Sequence, residues 1–259
     1  MTNRGNKTLD LNCDMGESFG AYTMGNDLAI LDQVSSANIA CGFHAGDPPT
    51  MRRIVNAALA KGVAVGAHPG LPDLQGFGRR EMKVSPAEAY ALVLYQVGAL
   101  AGFVQAAGGR LNHVKAHGAL YNMAARDRAL SDAIAQAVRD FDPGLVYFGL
   151  AGSVMIEAAQ ALGLRCAHEV FADRSYQDDG RLTARGTPGA MIEDEDRSLA
   201  QVRQMLHEGR VTALSGATVP VRADTLCLHG DQPGALAFAQ RIRAELGADG
   251  VALHAPARG

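Results

Sequence analysis

The chain has no tryptophan, and aromatic residues fill only 5% of its 259 positions. Apolar residues still make up 47% of the sequence, so its core rests on Ala, Val, Leu and Ile rather than on stacked rings. Cysteine is scarce as well. Cys13, Cys41, Cys166 and Cys227 form no CxxC pair, and each lies in an apolar, strand-like run. This excludes a disulfide framework and predicts buried, reduced thiols. The formal charge is only −3, and Lys and Arg form no dense runs, so a nucleic-acid or anionic-membrane surface is not indicated. No apolar run reaches the roughly 18 residues expected of a membrane span, and the polar start "MTNRGNKT" has no hydrophobic signal core. A cytoplasmic protein is therefore expected. Also absent are the GxxxxGK[ST] phosphate loop, the GxSxG nucleophile elbow and the HExxH metal motif. No shift in composition, repeat or low-complexity segment divides the chain. One domain over residues 1–259 follows, with loose tails at about 1–6 and 252–259.

What is present is an alternation of short apolar runs and longer helical patterns. The runs are 8–14, 36–44, 63–68, 112–117, 145–149, 165–171 and 225–231; helices are predicted near 48–61, 86–107, 126–140, 152–162, 194–208 and 233–246. Pro48, Pro49, Pro86 and Pro233 stand near helix starts, and Ser85 with Glu88 has the spacing of a capping box. Strand–helix alternation implies parallel strands joined by crossover helices. The longest irregular stretch is 172–193, a length that points to function or to a mobile surface insertion.

Side chains on a strand alternate between faces. In the first run Leu9, Leu11 and Cys13 oppose Asp10, Asn12 and Asp14; in the fourth, Val114 and Ala116 oppose His113, Lys115 and His117. In the second, Ala40, Gly42 and His44 share a face, with the small residues leaving room beneath the histidine. One face is thus apolar and suits packing under helices, while the other is small or polar and ends in an ionisable group. An open parallel sheet is usually apolar on both faces. One-sided polarity predicts an α/β fold of the closed (β/α) barrel type, with about seven parallel strands and its chemistry at their C-terminal ends.

Asp14, His44, His68, Lys115, His117, Glu169, His229 and Asp231 all fall at or near those ends. Clustered charges in a confined site are costly unless they serve a purpose, which favours an active site over a network of structural ion pairs. Histidines and carboxylates transfer protons near neutral pH, and Lys115 suits an oxyanion or a phosphoryl oxygen. Asp14, His44 and His68 also make a possible His₂–carboxylate metal set. Two glycine-bearing loops, 70–80 and 171–186, bring Arg79, Arg174 and Arg185, which suit carboxylate or phosphate.

The blocks "DLNCDMGESFG", "NIACGFHAGDP", "GAHPGLPDLQGFGRR", "VKAHGALYN", "EVFADRSY" and "LHGD" occur in this order. They resemble those of the LamB/YcsF family, to which the A-type component of bacterial 5-oxoprolinase belongs, from about Leu9 to Asp231 and into the last helix. One departure is Ala116, where the family usually has proline. The resemblance implies an irregular barrel related to glycoside hydrolases and polysaccharide deacetylases. It implies opening of the lactam of 5-oxo-L-proline to L-glutamate coupled to ATP hydrolysis, with Mg²⁺ as the nucleotide's counter-ion and two other subunits, of B and C type, as partners. Within the matching blocks, Asp14, His44, His68, Lys115, His117 and Glu169 are the expected catalytic groups. Asn12, Glu17, Asp47, Arg79, Tyr121, Asp173, Arg174, Arg185, His229 and Asp231 are the expected substrate- or nucleotide-binding groups. Two other functions fit the same residues: a metal-dependent deacetylase or amidohydrolase acting alone, and a non-catalytic substrate-binding subunit.

Overall fold

A computed structural model describes residues 7–228 and 234–259. His229 and Asp231, the tail at 1–6 and Pro233 lie outside the described residues. The elements in chain order are β1 (Lys7–Met15), α1 (Asp27–Ile30), β2 (Ser36–Ala40), α2 (Pro48–Ala60), β3 (Ala64–His68), α3 (Pro86–Ala106), β4 (His113–Lys115), α4 (Gly118–Ala124), α5 (Arg128–Phe141), β5 (Val146–Leu150), α6 (Val154–Ala161), β6 (Arg165–Phe171), α7 (Glu195–Glu208), β7 (Arg210–Thr212), β8 (Thr218–Pro220), β9 (Thr225–Leu228), α8 (Ala235–Ala248) and β10 (Val251–Leu253). Strands β1 to β6 pair in sequence, all parallel, and β9 closes the ring by pairing with both β6 and β1. The result is the closed seven-stranded parallel barrel with flanking helices that the one-sided polarity predicts.

The apolar faces explain the closure. Leu9, Leu11, Cys13, Met15, Ile39, Val65 and Val114 are all buried in the main core beneath the helices. Each such side chain contributes about 1.5–3 kcal/mol when fully buried. Inside the barrel, Phe148 stacks on His113 with ring centroids 4.1 Å apart. Gly66 is what admits that histidine, because a Cβ there would lie 2.1 Å from His113 Nε2. The helices start where the sequence places caps. Ser85 and Glu88 form the capping box of α3, and Asp47 caps α2 by accepting from Thr50 N.

Several expectations change. The second strand stops at Ala40 rather than running to residue 44, and Gly42 turns the chain at φ +97°, so its value is conformational rather than spatial. His44 therefore reaches the barrel mouth from a loop. The segment 252–259 is no loose tail. β10 pairs with the start of β1, His254 N donates to Leu9 O at 3.0 Å, and Arg258 pairs with Asp142 at 2.5 Å. The stretch 172–193 is irregular yet pinned by bridges Arg174↔Met191 and Tyr176↔Leu182, with Tyr176 and Thr183 fully buried. Helix α3 is long and apolar enough to cross a membrane by length and composition, with mean hydropathy 1.4. Gly, Gln and Tyr punctuate it and hide this in a search for unbroken apolar runs. In the barrel it packs on α5 and β3.

Candidate active site

The inward faces of β1, β2, β4, β6 and β9 build two polar layers. The lower one is saturated. Asp10 accepts from Ser35 Oγ (2.6 Å), Ser36 Oγ (2.7 Å) and Thr225 Oγ1 (2.6 Å). Asn12 Nδ2 donates to Thr225 Oγ1 (2.6 Å) and Glu169 Oε1 (3.1 Å), and its Oδ1 accepts from Asn38 Nδ2 (2.7 Å). His113 Nε2 reaches Asn38 Oδ1 at 2.7 Å. Burial still pushes the Asp10 carboxyl up to about 6, against the three hydroxyl donors that favour its charge.

The upper layer opens at the mouth. Lys115 Nζ sits 2.9 Å from Asp14 Oδ1, 2.8 Å from Glu169 Oε1 and 3.1 Å from Cys227 Sγ. Burial opposes the ammonium, but Asp14, Cys227 and Glu169 outweigh it and hold the lysine well above its usual range. On the other side of Asp14 stand three histidines. His68 Nε2 is 3.3 Å from Asp14 Oδ2 and 2.9 Å from His117 Nδ1. His44 stacks on His117 with centroids 3.7 Å apart. Glu17 Oε1 lies 3.6 Å from His44 Nε2 and 3.7 Å from His117 Nδ1. Burial is the main cause that drives His44 and His117 well below the ordinary histidine range, so both rings are neutral at pH 7. Tyr121 faces Glu169; burial first, and then that carboxylate, pushes its phenol well up.

A narrow inner cleft of ≈ 40 Å³ is lined by Asp14, His68, Lys115, His117, Tyr121 and Arg174 among others. That is room for about three water molecules. It continues into an outer basin of ≈ 540 Å³, the size of a small-molecule pocket. Arg79, Arg174 and Arg185 line both spaces. Burial, with Arg185 nearby, lowers Arg174 to about 10, and Asp173 beside it works in the opposite direction.

Of the expected residues, Asp14, His68, Arg79, Lys115, His117, Tyr121, Arg174 and Arg185 line the inner cleft. His44, Glu17 and Glu169 stand directly behind them. Asn12 lies a layer deeper, holding Glu169 and Asn38 in place. Asp47 is not at the pocket: its carboxylate accepts from Thr50 N and Gly20 N, both at 2.8 Å, so it caps α2 and ties down the loop after β1. Asp173 lines neither the cleft nor the basin. The possible metal set also changes. Glu17 joins His44, His68 and His117, with one donor atom from each lying within 4.8 Å of the others; Asp14 is not in this group.

Three features went unseen in the sequence. Cys227 packs against Lys115, and only the barrel's closure by β9 could reveal that contact. Arg126, which with Arg181 joins the outer basin, sits just past α4, a helix too short to be read from periodicity. Phe77 carries the only positive φ (+55°) of a non-glycine among the described residues, and its carbonyl meets His117 Nε2 at 2.8 Å.

The chain is similar to known proteins over nearly its whole length. The profile of the LamB/YcsF family matches residues 9–258. The A-type subunit of 5-oxoprolinase from Bordetella pertussis is 64% identical over 250 residues, which cover 96% of this chain and 99% of that protein. A crystal structure described as a lactam utilization protein from Thermus thermophilus is 51% identical, covers 96% of this chain and all of that one (100%), and superposes with a TM-score of 0.90. A family 4 carbohydrate esterase from Streptomyces lividans is 13% identical, with a TM-score of 0.51 and coverage of 98% and 97%, and shares the fold alone. With the match running from the first strand through the pocket blocks to the last residues, this chain belongs to the LamB/YcsF family.

Proposed function

We propose that this chain is the catalytic, A-type subunit of an ATP-dependent 5-oxoprolinase, working in the cytoplasm with two other subunits of B and C type. The observation that carries the reading is the buried Lys115 ammonium held between Asp14 and Glu169 at the foot of an arginine-lined basin. The names of the relatives, one a 5-oxoprolinase subunit of the same type and the other a lactam utilization protein, support it.

A lactam carbonyl is a poor electrophile. Transfer of the γ-phosphoryl group of ATP to its oxygen releases ADP and makes C5 electrophilic. One water adds to C5, giving up a proton; the C5–N bond breaks as nitrogen takes up a proton. A second water hydrolyses the acyl phosphate to glutamate and phosphate. The site supplies groups suited to these events. Lys115 would stabilise charge on the carbonyl or phosphoryl oxygen. Arg79, Arg174 and Arg185 would hold the phosphoryl group and the substrate carboxylate. Asp14 is the base best placed for the water, being in contact with both Lys115 and His68. Asp14 can then pass that proton toward the departing nitrogen. ATP enters as its Mg²⁺ complex, as a substrate.

The test is ATP-coupled turnover of 5-oxoproline by Asp14→Ala, His44→Ala, Lys115→Ala and His117→Ala with the partner subunits present. The reading expects severe loss in Asp14→Ala and Lys115→Ala; near-normal turnover in all four discards it. Calorimetric binding of 5-oxoproline to the inactive variants separates catalysis from mere substrate holding.

A further inference from the structure

We propose that Glu17, His44, His68 and His117 form a site for one divalent transition-metal ion of the zinc class, anchored by His68 Nε2 and His117 Nδ1. This goes beyond the reaction assigned above and does not depend on it.

His68 Nδ1 lies 2.8 Å from the Lys115 carbonyl, and His117 Nε2 lies 2.8 Å from the Phe77 carbonyl. A carbonyl oxygen only accepts, so each of those nitrogens carries its ring hydrogen. In neutral rings the other two nitrogens then present lone pairs, and these two nitrogens face each other at 2.9 Å. Two lone pairs at that separation repel unless a cation lies between them. Metal-ligating histidines have this same arrangement, donating the far N–H to a carbonyl and thereby fixing the tautomer and aim of the near nitrogen.

A second observation is independent of the first. His44 is 0% exposed, and neither of its ring nitrogens has a hydrogen-bond partner. Its Nε2 points to the same place, 3.6 Å from Glu17 Oε1. The four donors lie within 4.8 Å of one another; tetrahedral zinc with bonds near 2.0–2.1 Å sets its donors about 3.3 Å apart. Three imidazoles and a carboxylate are the ligand types zinc and its neighbours take, and not those of calcium or magnesium. The carboxylate that faces this cluster is Glu17, whose Oε1 lies 3.6 Å from His44 Nε2 and 3.7 Å from His117 Nδ1.

The parallel stacking of His44 on His117 sets a condition. An ion in the plane of one ring lies outside the plane of the other, so one ring turns on binding. His68 and His117 are each tied to a carbonyl and His44 is not, so His44 is the ring that turns.

The full chain, stripped with a chelator and dialysed, is titrated with Zn²⁺ alone and with Co²⁺ alone against a chromophoric competitor. One ion per chain is expected, with Co²⁺ giving the visible bands of a four-coordinate site. His68→Gln and His117→Gln each weaken binding on the order of 100-fold, Glu17→Gln less, and the exposed His207→Ala not at all. Circular-dichroism melting confirms that each variant is folded. Ring-¹⁵N spectra of the unaltered chain avoid the question of folding: Zn²⁺ shifts the His68 and His117 resonances. Absence of stoichiometric binding, unchanged affinity in folded His68→Gln and His117→Gln, or ring signals of a proton-sharing pair indifferent to Zn²⁺ would each overturn the proposal.

Discussion

The two polar layers inside the barrel are made of similar residues and behave differently. In the lower layer Asp10, Asn12, Asn38 and Thr225 satisfy one another. In the upper layer both ring nitrogens of His44 are buried without a hydrogen-bond partner, and two histidine nitrogens confront each other. Buried polar groups are normally paired, and unpaired ones call for a reason. Burying polar groups is common to both layers, so burial does not mark the site. What marks it is the deficit of partners, which the lower layer lacks and a ligand at the mouth would fill.

Substitutions sharpen the contrast, from the largest expected effect to the smallest. Lys115→Met strikes the upper layer. Phosphate release with partner subunits present is expected to fall on the order of 10³-fold, and denaturant unfolding should show a loss of about 3–5 kcal/mol as Asp14 and Glu169 lose their shared cation. Full turnover in this variant would erase the distinction. Gly66→Ala strikes the lower layer, driving a Cβ into the His113 ring. A cost of about 3 kcal/mol is expected in unfolding measurements, while turnover per folded molecule holds.

Asp10→Asn tests the same layer through pH. The folded pKa of Asp10 is raised to about 6 from 3.8, so the native state binds this proton more tightly than the unfolded chain. The stability linked to that proton is fully present below pH 3.8 and is lost as pH rises through 6, a difference of up to roughly 3 kcal/mol. Unfolding free energies across that window should fall less steeply in Asp10→Asn than in the unaltered chain; parallel curves would contradict the assignment. Asp47→Ala comes last, with a loss of about 1 kcal/mol from the α2 cap and turnover unchanged. A large activity loss would return Asp47 to the site.

The sequence showed the barrel plainly because period-two alternation survives in β1, β3 and β4 whatever the loops do. Lys115 and Asp14 were legible for the same reason, since their strands aim them inward. His44 was recognised for a partly wrong reason, as a strand residue, although the Gly42 turn delivers it. Asp47 was expected as a binding group because a capping aspartate and a ligand-binding one look alike in sequence, even beside a predicted helix start. Glu17 was named from the family blocks, yet its place among three histidines depends on how the loop after β1 folds. The hairpin strands β7 and β8 and the anchored β10 are three residues each, too short for any period to register.

The most direct test is a crystal structure of the chain with 5-oxo-L-proline and a non-hydrolysable ATP analogue. The account predicts the lactam carbonyl within hydrogen-bond reach of Lys115 Nζ and anionic groups against Arg79, Arg174 and Arg185. A lactam bound away from the C-terminal mouth of the barrel, with Lys115 still locked between Asp14 and Glu169 and touching no ligand, would contradict it.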